Sequence, residues 1–422
     1  MTKKATVAAV EIDDIGAGPP STSFQSKLAA IVETATEMFN LEGAGAVSLN
    51  AIALRVGIGR ATLYHYVSDR SDLLFHCYQR SCEMDAGLLA KAGASQNGLD
   101  QLLDYVRRSL DPERRKPSAI NDLAILSPNQ RATILAFQRR NFSQLYTMVR
   151  RGIVDGSIRR CNEVIVARAI AGIVAYAPIS SPFNTALDKP ADPDAVADFI
   201  SFGTASDPTS IVQCSVDISE FSKLNAIRFD RSSRSATRVE QILMTASRLF
   251  NQRGAHGVTL DEIAQELGAT RGAFYHYLDD KKQLIRLCLT RAFDLYEGFF
   301  DAAAVHGRTG QESASIVTHL NAQAQASGLC PLVPWIGLEV MSAAQRQKQF
   351  QRMRGLLART VGLAERGIAD GTRRQHDTQS IARVRPGAYL WIPQWFDVND
   401  GHSPRRLADE IMTLFHRGLA NS

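Results

Sequence analysis

Apolar residues recur along this chain every three and four positions, the period of helices that bury one face. In ATRVEQILMTASRLFNQRG, residues 236–254, Val239, Ile242, Leu243, Ala246, Leu249 and Phe250 form one stripe, and Gly254 ends it. TLDEIAQELG follows: Thr259 and Glu262 have capping-box spacing, and Leu260, Ile263, Ala264 and Leu267 share the buried side. Gly268 suits a left-handed stop. An earlier segment repeats the plan, with Ser48 as cap, Leu49, Ile52, Ala53 and Val56 as stripe and Gly57 as stop. Ala51 stands there in place of the reciprocal glutamate. NQRATILAFQRRNFSQLYTMVRRGI and AQRQKQFQRMRGLLARTVGLAERGI read as long amphipathic helices, and no period-two run is long enough for a sheet. The pattern predicts an all-α fold.

The chain also repeats itself. Shifted by 211 residues, positions 39–77 align with 250–288 without a gap, and 16 of the 39 are identical, including Gly57, Arg60, Tyr64, His65, Tyr66 and Cys77. Fixed glycine, histidine, tyrosine and cysteine positions exclude mere helical low complexity. A second match, at a shift of 215, pairs RRGIVDGSIRR (150–160) with ERGIADGTRRQ (365–375), and Ala167-Arg168 with Ala382-Arg383. The sequence therefore predicts two copies of one unit of about 190 residues, not a short solenoid repeat.

Within each unit, two short helices joined by a glycine-containing turn make a helix-turn-helix. The second helix is expected over about 59–66 in copy one and 270–277 in copy two, with Leu63 and Phe274 turned inward and Val67 and Leu278 closing the end. Three polar-tipped rings in a row, Tyr64-His65-Tyr66, cannot all face inward from so short a helix. A major groove accepts one helix, where arginine pairs with guanine and small residues meet thymine methyls. Tyrosine, histidine and a basic residue at the next helix start, Arg70 or Lys281, suit phosphates.

These stretches, VSLNAIALRVGIGRATLYHYVSDRSDLL and VTLDEIAQELGATRGAFYHYLDDKKQLI, resemble the tetracycline-repressor (TetR) family of bacterial transcriptional regulators. The RGIVDG and RGIADG pair and the terminal WIPQWF…SPRRLADEIMTLFHRGL support the resemblance, which spans about 24–205 and 236–422. It implies, in each unit, three N-terminal DNA-binding helices followed by a larger helical ligand-binding and dimerisation region. Matched to the family motif, the implied DNA-binding residues are Ser48, Ile58, Arg60, Ala61, Thr62, Tyr64, His65, Tyr66 and Arg70 in copy one. In copy two they are Thr259, Ala269, Thr270, Arg271, Gly272, Tyr275, His276, Tyr277 and Lys281. Departures from the family pattern are small: Arg60, Arg271 and Arg70 replace lysine, and Ala61 replaces glycine.

The resemblance also implies a repressor that acts as a dimer through its last two long helices. A chain with both copies can supply both halves, and we expect an internal pseudo-dimer in which helices near 162–178 and 192–204 pack against those near 377–392 and 403–419. Its operator would be an imperfect palindrome of double-stranded DNA, since Gly59, Ala61, Thr62 and Leu63 face Thr270, Gly272, Ala273 and Phe274 across the repeat. The rival is an intermolecular dimer with four heads. The expected divisions are a tail (1–23), head one (24–80), regulatory region one (81–205), linker and basic arm (206–235), head two (236–291) and regulatory region two (292–422).

Composition refines this picture in a few places. The formal charge of +5 is mild, but it is uneven: 24–80 is neutral and 228–291 carries +4, with Arg228, Arg231, Arg234 and Arg238 in a serine-rich lead-in. The six cysteines lack metal or redox spacing, so no metal site, cofactor or disulfide framework is expected. The chain lacks an apolar signal core or a membrane-length run, and a cytoplasmic protein is expected. No phosphate loop or nucleophile elbow appears, so an enzyme is not expected. The resemblance implies a small-molecule effector whose identity the sequence does not name. Trp335, Trp391 and Trp395 are read as core, and copy one, with no tryptophan, is expected to hold a different pocket. The alternative function is a helical ligand-binding protein in which one or both heads have lost DNA binding.

Overall fold

The computed structural model describes residues 22–45, 47–94, 97–120, 122–180, 189–210, 214–221, 233–269, 278 and 280–421. Copy one contains α1 (Thr22–Glu42), α2 (Leu49–Val56), α3 (Arg60–Leu63), α4 (Arg70–Lys91), α5 (Gly98–Leu110), α6 (Pro128–Asp155), α7 (Glu163–Ser180) and α8 (Pro193–Phe202). Copy two contains α9 (Ser233–Arg253), α10 (Leu260–Glu266), α11 (Lys281–His306), α12 (Gly310–Ala326), α13 (Ala343–Ala369), α14 (Thr378–Val384), α15 (Gly387–Leu390), α16 (Ile392–Trp395) and α17 (Pro404–Arg417). The fold is all-α, and no strand is present among the described residues.

Local chemistry sets the helix ends and repeats between copies. Ser127 and Ser342 each form a capping box with the glutamine three residues on, opening α6 and α13. Where helices cross most closely, glycine meets glycine. A Cβ on Gly98 would lie 2.1 Å from the Gly152 nitrogen, and one on Gly310 would lie 2.1 Å from that of Gly367. One boundary differs from expectation. The segment near 377–392 is not a single helix but α14, α15 and α16, because Pro386 and Pro393 cannot donate within a continuous ladder.

The first head has its own core, built from Ile31, Phe39, Ile52, Leu63, Leu73 and Tyr78 with neighbours from α6. A second core runs without a break from α5–α8 into copy two. There α7 lies along α14, α15 and α17, and α8 along α14 and α17.

This contact is reciprocal at a constant offset of 215 residues. Thr204 donates its backbone N–H to the Phe415 carbonyl, and Leu419 donates to that of Ile200. The Ala205-to-His416 bond is matched by Ala420-to-Ser201, and Arg374-to-Thr204 by Arg159-to-Leu419. The Nε of Arg159 reaches the Gly418 carbonyl at 2.7 Å, and that of Arg374 reaches the Gly203 carbonyl at 2.8 Å. Two isolated bridges, Ile158 with Ala420 and Ala205 with Arg373, obey the same rule. At the centre, a Cβ on Gly172 would lie 2.1 Å from the Gly387 carbonyl oxygen, and a Cβ on Gly387 would lie 2.2 Å from that of Gly172. Residue i meeting the mirror of j while j meets the mirror of i is the signature of an isologous two-fold contact.

Candidate nucleic-acid interface and cavity

In copy one the turn and short helix are fixed from both ends. The Ser48 hydroxyl accepts from the Ala51 N–H at 3.1 Å and caps α2. Gly57 ends α2 at φ 77, a left-handed conformation that β-carbons resist. The N–H of Ile58 then donates to the Ala53 carbonyl at 3.0 Å, which aims the chain into α3. Copy two repeats this: Thr259 and Glu262 close a full capping box, and Ala269 donates to Ala264 at 2.9 Å. Lys281 opens α11 behind the cap Asp280. Thr270, Arg271, Gly272, Tyr275, His276 and Tyr277 lie outside the described residues.

Helix α3 is a single turn, shorter than the sequence spacing suggested. Beyond it His65 and Tyr66 donate to carbonyls three residues back. Leu63 is fully buried as expected, and Arg60, Ala61, Tyr64 and His65 are exposed together on one surface, with Thr62 half-buried beside them. The Arg60 guanidinium lies 5.7 Å from the Tyr64 ring centroid and donates to its hydroxyl at 3.4 Å. That arrangement presents a cation and a phenol together, both able to meet base edges or phosphates.

Two residues expected to face DNA are engaged elsewhere. The half-buried ring of Tyr66 packs on Phe24 of α1 with centroids 4.7 Å apart. Arg70 donates to the carbonyls of Gly45 (3.1 Å) and Val47 (2.5 Å), holding the loop before α2. Both tether the head, and the partners that capture them are 20 or more residues away, beyond local pattern reading.

Against this geometry, the family model "Bacterial regulatory proteins, tetR family" matches residues 31–77 and again 242–288, two segments offset by the 211 residues of the repeat. The chain carries the tetR-family segment twice, in tandem. With two such segments, it is a DNA-binding transcriptional regulator. Among relatives, the HTH-type transcriptional repressor KstR2 of Mycolicibacterium smegmatis is 24% identical over 208 residues, 46% of this chain and 96% of that protein. An HTH-type transcriptional regulator of Staphylococcus aureus is 46% identical over 50 residues, which are 12% of this chain and 27% of that protein. Among solved structures, the ketosteroid transcriptional regulator KstR2 of Mycobacterium tuberculosis aligns at 15% identity and a TM-score of 0.38, covering 40-odd per cent of this chain (44%) and 96% of that one. No described helix is long and apolar enough to cross a membrane.

In copy one, α4, α5, α6 and α7 surround a cavity of about 480 Å³. Its wall is completed by copy two: Trp391, Gln394 and Trp395 contribute, as do Gln252 and Arg253 at the end of α9. The sequence reading of all three tryptophans as core is thus corrected for two of them. Trp335 is buried and stacks on Trp391 at 4.7 Å, but Trp391 and Trp395 are half-buried and line the other copy's cavity. Inside, Asp85 accepts from the Tyr105 hydroxyl at 2.8 Å and from the Asn141 amide at 3.0 Å, and its burial pushes its carboxyl pKa up. Copy two is also pinned to this region from outside, where His256 Nδ1 lies 2.7 Å from the Asp122 carboxylate.

Proposed function

We propose that this tetR-family chain is a repressor that forms its own dimer internally. Its two heads then read one imperfect palindrome of double-stranded DNA, and a small molecule in the copy-one cavity modulates binding. The observation that carries this reading is the reciprocal contact at the 215-residue offset, centred on Gly172 and Gly387. Helices α7 and α8 meet α14, α15 and α17 through polar backbone bonds and an unbroken apolar core, which leaves those surfaces covered within one chain. In this arrangement head one spans about 24–80 and head two 236–291, with regulatory regions at 81–205 and 292–422.

Within the first head, Arg60, Ala61, Thr62, Tyr64 and His65 enter the groove, with Ser48 and Ile58 at its edge. Their counterparts in head two are Arg271, Gly272, Tyr275, His276 and Tyr277, preceded by Thr259, Ala269 and Thr270 and followed by Lys281. Repression follows from geometry, since a two-headed binder occludes its operator without any further surface, and the M. smegmatis relative is itself named a repressor. Selection of bound sequences from a random DNA pool tests the reading. Two unequal half-sites in inverted orientation are expected, and enrichment of single unpaired half-sites would overturn it.

A further inference from the structure

We propose that the chain binds one amphipathic organic anion, in copy one only, with Arg168 as the anchor for its acidic group. The proposal rests on the effector reading above and adds the class of ligand, the stoichiometry and the residue.

Arg168 is an unusual cation for a cavity wall. Its guanidinium lies 3.7 Å from the centroid of the Phe142 ring and 5.8 Å from that of Trp395. These faces hold the plane in place but satisfy none of its N–H groups. Its Nε is buried with no hydrogen-bond partner, and no described residue forms an ion pair with it. Burial alone perturbs it, pulling its pKa below the ordinary arginine value with no carboxylate compensating. The other charged groups on the wall are already matched or lie at the rim. Asp85 is held by Tyr105 and Asn141 with Arg114 near it, Arg253 pairs with Glu262 at 3.1 Å, and Arg139 is exposed. A carboxylate or similar oxyanion would give the Arg168 fork its missing acceptors. Leu89, Leu145, Val174 and the two tryptophans offer the rest of the ligand an apolar wall.

Copy two is built differently at the same place. At the 211-residue offset, Phe293, Tyr296, Phe299 and Phe300 stand where copy one has Cys82, Asp85, Leu88 and Leu89. All four rings are buried, and three of them stack edge to face, Phe293 on Tyr296 at 6.3 Å and Tyr296 on Phe299 at 6.4 Å. Phe293, Tyr296 and Phe300 thus put larger rings where Cys82, Asp85 and Leu89 line the copy-one cavity. The mirror of Arg168, Arg383, is buried and engaged. The asymmetry predicts a single effector per chain, seated in one copy and walled in part by the other.

Calorimetric titration of the full chain with dodecanoate and with dodecan-1-ol, followed in parallel by tryptophan emission, tests this. Dodecanoate is expected to bind at one per chain and to change tryptophan emission, with dodecan-1-ol at least about tenfold weaker, the loss of one charge-assisted pair. Arg168→Gln should bring the two probes level, and Arg168→Lys should restore part of the difference. Cys82→Phe, which copies the ring of the second unit, should abolish binding of both. Equal affinity for the two probes, two sites per chain, no binding of either, or unchanged dodecanoate affinity in Arg168→Gln would each overturn the proposal. If Arg168→Gln does not fold, the probe comparison and Cys82→Phe decide alone. Operator binding by the same ligand-free protein is read separately, so a failed titration leaves the DNA reading standing.

Discussion

The glycine pair at the pseudo-two-fold makes the sharpest prediction, because the same substitution should have opposite signs at two kinds of site. In Gly172→Ala the new Cβ would sit 2.1 Å from a carbonyl oxygen, and in Gly387→Ala it would sit 2.2 Å from one. Ordinary contact begins near 3.4 Å, and the opposing atoms are backbone, so no rotamer can relieve the clash. The two copies must part by about 1 Å along a packed interface, at a cost of about 3 kcal/mol, the upper end for overpacking. Helix propensity opposes this by at most about 1 kcal/mol. Gly362 lies in the exposed middle of α13 with open space where a Cβ would go, so Gly362→Ala should gain about 0.5–1 kcal/mol. Urea unfolding followed by tryptophan emission is the assay, because Trp335 and Trp391 pack on Tyr176 across the same interface, at 5.9 and 6.2 Å. The double variant should cost less than the sum of the singles, since one opening accommodates both methyl groups. If Gly172→Ala and Gly387→Ala are as stable as Gly362→Ala, the interface between copies does not hold in solution.

Other expectations are independent of that one. Arg373 occupies the place of Ile158 in the repeat, is buried with Nε and one terminal nitrogen unpartnered, and has its pKa driven down to about 9 by burial and by Arg385. Arg373→Ile should therefore raise the urea midpoint, by about 1–4 kcal/mol in stability, and a lower midpoint would refute the assignment of its charge as uncompensated. Burial, with Arg373 beside it, pushes His376 down to about 4. Against an unfolded value near 6.5, its contribution is complete above pH 6.5 and is lost as pH falls from there towards 4. Burial lowers His416 and His319 in the same sense, so unfolding midpoints should drop between pH 7 and 5, and His376→Asn should flatten that dependence. Arg70→Gln should lower the melting temperature of the chain yet leave the salt dependence of DNA binding unchanged, and a slope reduced by about 0.9 would restore a phosphate role to Arg70.

The heads were legible because their chemistry is local and duplicated. Caps at Ser48 and Thr259, stops at Gly57 and Gly268, and the buried Leu63 follow from spacing alone. What the sequence hid is long-range. Tyr66 and Arg70 look like groove residues until Phe24 and the carbonyls of Gly45 and Val47 are folded against them. The cavity was hidden for the same reason, since Trp391 and Trp395 belong to copy two by sequence and to the wall of copy one by packing. A signal for the interface was present, however. Alignment at 215 pairs Gly172 with Gly387, two glycines inside apolar helical segments where glycine is otherwise costly, and close backbone approach is the usual reason for such a choice.

The internal dimer is most directly tested by the number of chains on one operator. Native mass measurement of the complex at nanomolar concentration should give one 46.3 kDa chain per palindromic duplex, with both half-sites protected. Two chains per duplex, each protecting one half-site, would contradict the account.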